Sequence, residues 1–254
     1  MTVLQNEVQA FRDREPYRVS CNREANGTEL VYTVHVVENP PAVWSLVIGD
    51  CLQNMRSALD HLVWQLAIRG LAERNEDREP SPSTAFPISP NSAVYFERNR
   101  RTGEPTGRSG LIRVADMPSG AQALIQSLQP YHSGDDIGRH PLRVLNELAR
   151  FDRHRVLTLV GAVHHGLTLG AEDPIPGVDF RDETNFGPFE DGAIISRFIF
   201  PYITPLDIVV NPNFAFFPAF GNGGPAAGFL VLDVLEGILD HVANFIVSQF
   251  IRFF

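Results

Sequence analysis

Residues 42–69 read AVWSLVIGDCLQNMRSALDHLVWQLAIR. Ile48, Leu52, Met55, Leu59, Leu62 and Leu66 recur at alternating steps of four and three. That spacing keeps side chains on one stripe of a helix with about 3.6 residues per turn. It predicts a single long helix over 42–69. Pro40-Pro41 suits its first turn, where the N–H that proline lacks would be unpaired anyway, and Gly70 suits its end. Away from this seam, Asp50, Asn54, Ser57 and His61 fall at i, i+4, i+7 and i+11, which places them on a second stripe. Gln53, Arg56, Asp60 and Trp64 form the stripe beside it. A carboxylate, an amide, a hydroxyl, a guanidinium and an imidazole therefore lie along three turns. Two readings are open. One is a structural network, with Arg56 paired to Asp60 and Asn54 bonded to a neighbouring element. The other is a pocket lined by Asp50, Asn54, Ser57 and His61.

Before the long helix, residues 3–12 have the pattern of a short amphipathic helix, and 17–21 and 30–38 are β-rich runs around Asn26-Gly27. Both positions of that pair tolerate positive φ, so 17–38 reads as a hairpin. After the long helix, 71–90 carries four prolines and many charges and reads as a loop. Residues 91–98 and 121–128 are short-helix candidates, and 98–113, locally +4, reads as a mobile Gly/Arg-rich stretch. A second clear helix is expected over 142–155. The pattern then changes to strands at 156–163, 167–169, 193–200, 208–210 and 214–217, with an acidic segment at 171–191. Residues 229–250 close the chain as an amphipathic helix, with Asp233, Gly237, Asp240 and Asn244 on its polar face. Helices and strands segregate along the chain, which predicts one α+β domain over 1–254: a helical pair or bundle packed on a small antiparallel sheet.

The segment from Gly49 to His61 resembles the signature of an uncharacterised bacterial family, written loosely G-D-x-L-x-N-x-R-S-A-L-D-H. That family also carries a later D-x-H-R, matched here by Asp152-Arg153-His154-Arg155. The resemblance implies kinship over most of the chain and no particular activity. The Arg56-x4-His61 spacing is also similar to the catalytic motif of HEPN domains, helical bundles many of which are metal-independent ribonucleases. Carried over, Arg56 would hold a scissile phosphate and His61 would move a proton at the ribose 2′-hydroxyl, with RNA as the partner. The chain departs from that family by placing Ser57 after the arginine and by its strands.

On the second helix Glu147, Arg150 and His154 fall at i, i+3 and i+7, flanked by Asp152 and Arg155. The bland expectation is a solvated face with an ion pair between Glu147 and Arg150. The functional one is that His154 faces the Asp50–His61 stripe across a groove, with Asp152 and Arg155 as flanking binding residues. His132, Asp135, Asp136 and His140 lie close in sequence, yet no H-E-x-x-H or cysteine-pair spacing exists. Adjacent His164 and His165 would point to opposite faces of a strand. No metal site and no cofactor motif is predicted.

Composition narrows the classes further. Net charge is −9, and eleven of the acids against three arginines lie beyond residue 170, so nucleic acid is repelled on average. Every basic residue is arginine, which excludes a lysine nucleophile or Schiff base. The expected setting is cytoplasmic and off the membrane: no apolar run approaches the ~18 residues a span needs, and the first residues form no secretory signal. Cys21 and Cys51 are expected as buried, reduced thiols. The last ten residues hold Phe245, Ile246, Val247, Phe250, Ile251, Phe253 and Phe254, a broader apolar arc than one core contact needs, which predicts a homodimer.

Overall fold

The computed structural model describes residues 1–24, 27–164, 181–200 and 214–254. The fold is α+β, and its residues separate into two compact units, Met1–Val47 with Leu157–Asp233, and Ile48–Val156 with Val234–Phe254. All strands among the described residues belong to the first unit, and the second is built from helices and turns.

In the first unit α1 (Thr2–Arg12) buries Leu4, Val8 and Phe11 at helical spacing. Phe11 meets Trp44 edge to face at 5.3 Å, and the Trp44 indole N–H donates to Glu7 at 2.8 Å. Strands β1 (Tyr17–Arg23) and β2 (Glu29–Val36) pair antiparallel with Tyr17 opposite Val36 and Arg23 opposite Leu30. Gly27 sits at φ 74°, the left-handed conformation that suits a residue without Cβ. Asn26, the other half of the expected turn, lies outside the described residues, as do the strands expected at 167–169 and 208–210.

Downstream come β3 (Leu159–His164), β4 (Arg181–Thr184), β5 (Gly187–Pro188), β6 (Ile194–Ile199) and β7 (Ala215–Phe220). They complete two antiparallel sheets, ordered β1-β2-β6-β4 and β5-β3-β7. β7 runs three residues past the expected end at 217, through Pro218. Among the described strands it is an edge, where a missing N–H costs no ladder bond on the open side. Cys21 is exposed and Cys51 half-buried, both free. The expected burial fails for Cys21 because β1 too is an edge among the described strands, with Arg18, Val19 and Asn22 exposed beside it.

The long helix α2 (Val43–Glu73) enters the second unit at Ile48. Ile48, Leu52, Leu59 and Leu66 are fully buried and Met55 nearly so. Val63, rather than Leu62, takes the inward place at the fourth step. A strict seven-residue repeat drifts around a straight helix, and a second step of four corrects it. Gly70 does not stop the helix. A Cβ there would stand 2.2 Å from the Asp116 carbonyl oxygen, so this glycine admits a crossing backbone and the helix continues for another three residues.

The 98–113 stretch, expected to be mobile, is tied by backbone bonds from Asn99 to Glu104 and from Thr106 to Glu97. It ends in α4 (Gly110–Arg113), capped by Ser109, after the single-turn α3 (Ser92–Tyr95). Helices α5 (Ser119–Ser127) and α6 (Pro141–Asp152) follow. The closing helix α7 (Val231–Asp240) passes through a π-helical segment, His241–Val247, into α8 (Ser248–Phe250). The wider π turn shifts the phase of the helix. Val242, Ile246 and Phe250 stay buried, whereas Phe245, expected inward, is 51% exposed and stacks on the His241 ring at 5.0 Å.

Candidate functional site

Within the second unit the two polar stripes of α2 behave differently. Arg56 and Asp60 pair across one turn at 3.2 Å, as their spacing predicts. The pair does more than that. Arg56 Nη2 donates to the Phe86 carbonyl at 2.6 Å, and the Phe86 N–H donates to Asp60 Oδ1 at 2.9 Å. Guanidinium and carboxylate together satisfy both backbone groups of Phe86, whose ring is fully buried. The clamp fixes the proline-rich loop against the helix. A second anchor is Asp116, which accepts two bonds from Arg78 and one from the Ser81 N–H. The Arg78 hydrogen bond, against the opposing effect of burial, lowers its pKa.

Asp50, Asn54, Ser57 and His61 all face solvent, and among the described residues none of their side chains makes a hydrogen bond. The expected bond from Asn54 to a neighbouring element comes instead from Gln53, whose amide donates to the Ala149 carbonyl at 3.1 Å. Ile68, seven residues beyond His61 on the same stripe, is 44% exposed, and Trp64, at the end of the adjoining stripe, is 36% exposed, so apolar surface follows the polar residues.

The two family-like segments meet at one point. A Cβ on Gly49 would stand 2.6 Å from Asp152 Oδ1, so the carboxylate of the second segment occupies the space that the glycine of the first leaves open. His61 lies some 18 Å further along the axis of α2, at ~1.5 Å per residue. α6 ends at Asp152, so Arg153, His154 and Arg155 sit in the following turn and exposed, and the expected one-face set of Glu147, Arg150 and His154 does not form. Glu147 pairs with Arg143 at 2.7 Å rather than with Arg150.

Arg56 carries an unmet demand. Its side chain is 13% exposed, and its Nη1 is buried with no hydrogen-bond partner among the described residues. An unsatisfied buried donor costs ~1–3 kcal/mol, more when charged. Burial lowers the Arg56 pKa, Asp60 opposes that, and the charges of Arg113 and Arg153 push it lower again. The guanidinium groups of Arg113 and Arg153 thus lie within electrostatic reach of Arg56.

Among the described residues no three His, Cys, Asp or Glu side chains group in a way that could hold a metal ion. His140 caps α6 by accepting from the Leu142 N–H at 3.2 Å, and its ring meets His241 at 5.2 Å. His165 and the side chain of His164 lie outside the described residues. One feature of the first unit had no sequence signal: a cleft of about 480 Å³ bordered by Arg12, Asp13, Tyr17, Phe214 and Phe216. Its arginine is engaged, donating to the Phe216 carbonyl and stacking on Phe217 at 4.0 Å.

No helix among the described residues is long and apolar enough to cross a membrane. Comparison with family models, curated proteins and solved structures found no match.

Proposed function

We propose that this chain is a cytoplasmic binding protein of bacterial type, and that the exposed stripe of α2 is the surface with which it engages its ligand. The observation that carries the reading is the contrast between the two stripes. Arg56 and Asp60 are consumed by the fold, whereas the exposed side chains of Asp50, Asn54, Ser57 and His61 make no hydrogen bond among the described residues and are available to a ligand. The adjoining Trp64 and Ile68 supply the apolar contact that energetically important interface centres favour. Asp152, His154 and Arg155 take a supporting role near the Gly49 end. Free thiols at Cys21 and Cys51 fit a reducing compartment. The chain acts as a homodimer, for which exposed Phe245, Ile251 and Phe254 provide apolar surface.

A second reading, a HEPN-like metal-independent ribonuclease using Arg56 and His61, gains one observation: both residues lie in the helical unit. Against it, Arg56 is committed to Phe86, and a five-residue separation turns His61 about 140° away around the helix. Incubation with single-stranded RNA in chelator separates the two readings. The binding reading predicts intact RNA. Cleavage that disappears in His61→Ala would replace it with the ribonuclease.

A further inference from the structure

We propose that the cleft of the first unit binds a ligand carrying a quaternary ammonium head group. The site shares no residue with the exposed stripe of α2 and does not rest on the reading given to that stripe.

Its walls follow from the local sequence. Phe214, just before β7, and Phe216 within it are two residues apart, so both rings stand on one face of the strand, with 6.3 Å between their centroids. Tyr17 opens β1, and its ring meets Phe216 at 5.3 Å. The tyrosine hydroxyl oxygen is buried, and a Cβ on Gly161 would stand 2.7 Å from Tyr17 Cζ. Tyr17 therefore turns its hydroxyl end to the interior and offers the cleft its ring. α1 ends at Arg12, and Asp13 and Glu15 follow it, both exposed. Together these residues border a cleft of about 480 Å³, a volume within the roughly 300–1,000 Å³ of small-ligand sites.

Charge selects the ligand. Asp13 caps the C-terminus of α1, where the helix already gathers partial negative charge and a cation is favoured. Its carboxylate accepts from the neutral Gln9 amide at 2.7 Å, and neither Asp13 nor Glu15 forms an ion pair among the described residues. Glu15 adopts φ 52°, a left-handed conformation that glycine or asparagine enters more readily, so the glutamate brings a carboxylate to the cleft at a backbone cost. Arg12 is the cation of the cleft wall, and it is already engaged. Its Nε donates to the Phe216 carbonyl at 3.1 Å, and its guanidinium stands 4.0 Å from the Phe217 ring centroid. Strand alternation turns Phe217 to the face opposite Phe214 and Phe216. Two unpaired carboxylates beside three aromatic rings oppose an anion and suit a cation. A quaternary ammonium supplies the charge without N–H donors that need acceptors, and its methyl groups pack on aromatic rings.

Calorimetric titration of the full chain with choline tests the site. The control ligand is its neutral isostere, in which a tert-butyl group replaces the trimethylammonium. One choline should bind per chain, and the neutral alcohol should bind about tenfold more weakly, for want of cation–π and ionic attraction. The double variant Asp13→Asn/Glu15→Gln, which leaves Gln9 an acceptor, should weaken choline binding by about tenfold. Phe216→Leu should weaken it by about as much, and the exposed acids carry the test alone if that variant fails to fold. Asp77→Asn removes an exposed charge that does not border the cleft and should leave the affinity unchanged. A peptide bearing one trimethyllysine distinguishes the sources of the head group. Tighter binding than choline places it on a protein side chain, and weaker binding on a free small molecule. Failure of both ligands to bind overturns the proposal. So does equal affinity for the neutral alcohol, which would make the cleft merely apolar, or an equal loss in Asp77→Asn, which would reduce the effect to net charge.

Discussion

Asp60 shows how much one side chain decides here. A single oxygen accepts from both Arg56 and the Phe86 backbone, and the same arginine donates to the Phe86 carbonyl. The pair replaces a strand or helix partner for a peptide unit that would otherwise be buried with unmet polar groups. The i,i+4 spacing made the ion pair legible in the sequence. Its job was not legible, because Phe86 lies 26 residues beyond Asp60 and no local pattern connects them. The two α2 glycines behave the same way. Gly49 and Gly70 each yield space to a distant group, the Asp152 carboxylate and the Asp116 backbone. Sequence alone offers Gly70 as a helix end, since the crossing chain that explains it is forty-odd residues away.

At the scale of elements, the closing helix carries the most specific expectation. Its π segment brings His241 toward His140 at 5.2 Å and turns Phe245 outward onto the His241 ring. Burial, then the neighbouring His241, lowers the His140 pKa from its usual 6.5 to about 4. The folded protein therefore resists a proton that the unfolded chain accepts. Stability from this source is complete above pH 6.5 and is lost as pH falls toward about 4. Urea midpoints measured across that window should decline for the wild type. They should decline less steeply for His140→Asn, which keeps a capping acceptor for the Leu142 N–H and removes the titrating ring. Equal slopes would mean that His140 does not titrate as described. Periodicity located this helix and its polar face at Asp233, Gly237, Asp240 and Asn244, all exposed. It could not locate the π turn, because an apolar repeat read at 3.6 residues assigns Phe245 inward whatever the hydrogen bonding does.

For the whole molecule, the α+β class was legible because strands and helices segregate along the chain. The partition into a β-bearing unit and a helical one was not, since each is assembled from two stretches far apart in the sequence. The terminal aromatics read more simply once the structure is known. Phe250 is buried in its own unit, while Phe245, Ile251 and Phe254 remain exposed. Light scattering should report a dimer for the full chain and a monomer after truncation at Gln249. A monomeric full chain at tens of micromolar rules the dimer out, and a dimer that survives truncation moves the interface away from these residues.

The central claim is that α2 divides its labour, with Arg56 and Asp60 holding the fold and the stripe from Asp50 to His61 free to bind. Urea unfolding of single variants tests this without knowledge of the ligand. Asp60→Asn should lose about 1.5–3 kcal/mol, the worth of charge-assisted hydrogen bonds. Leu59→Ala, which empties a fully buried position beside it, should lose about 2–5 kcal/mol and sets the scale. Asn54→Ala, Ser57→Ala and His61→Ala should each stay within about 0.5 kcal/mol of wild type, as surface substitutions do. A loss in His61→Ala or Asn54→Ala as large as that in Asp60→Asn would contradict the division and make the stripe part of the fold's own scaffold.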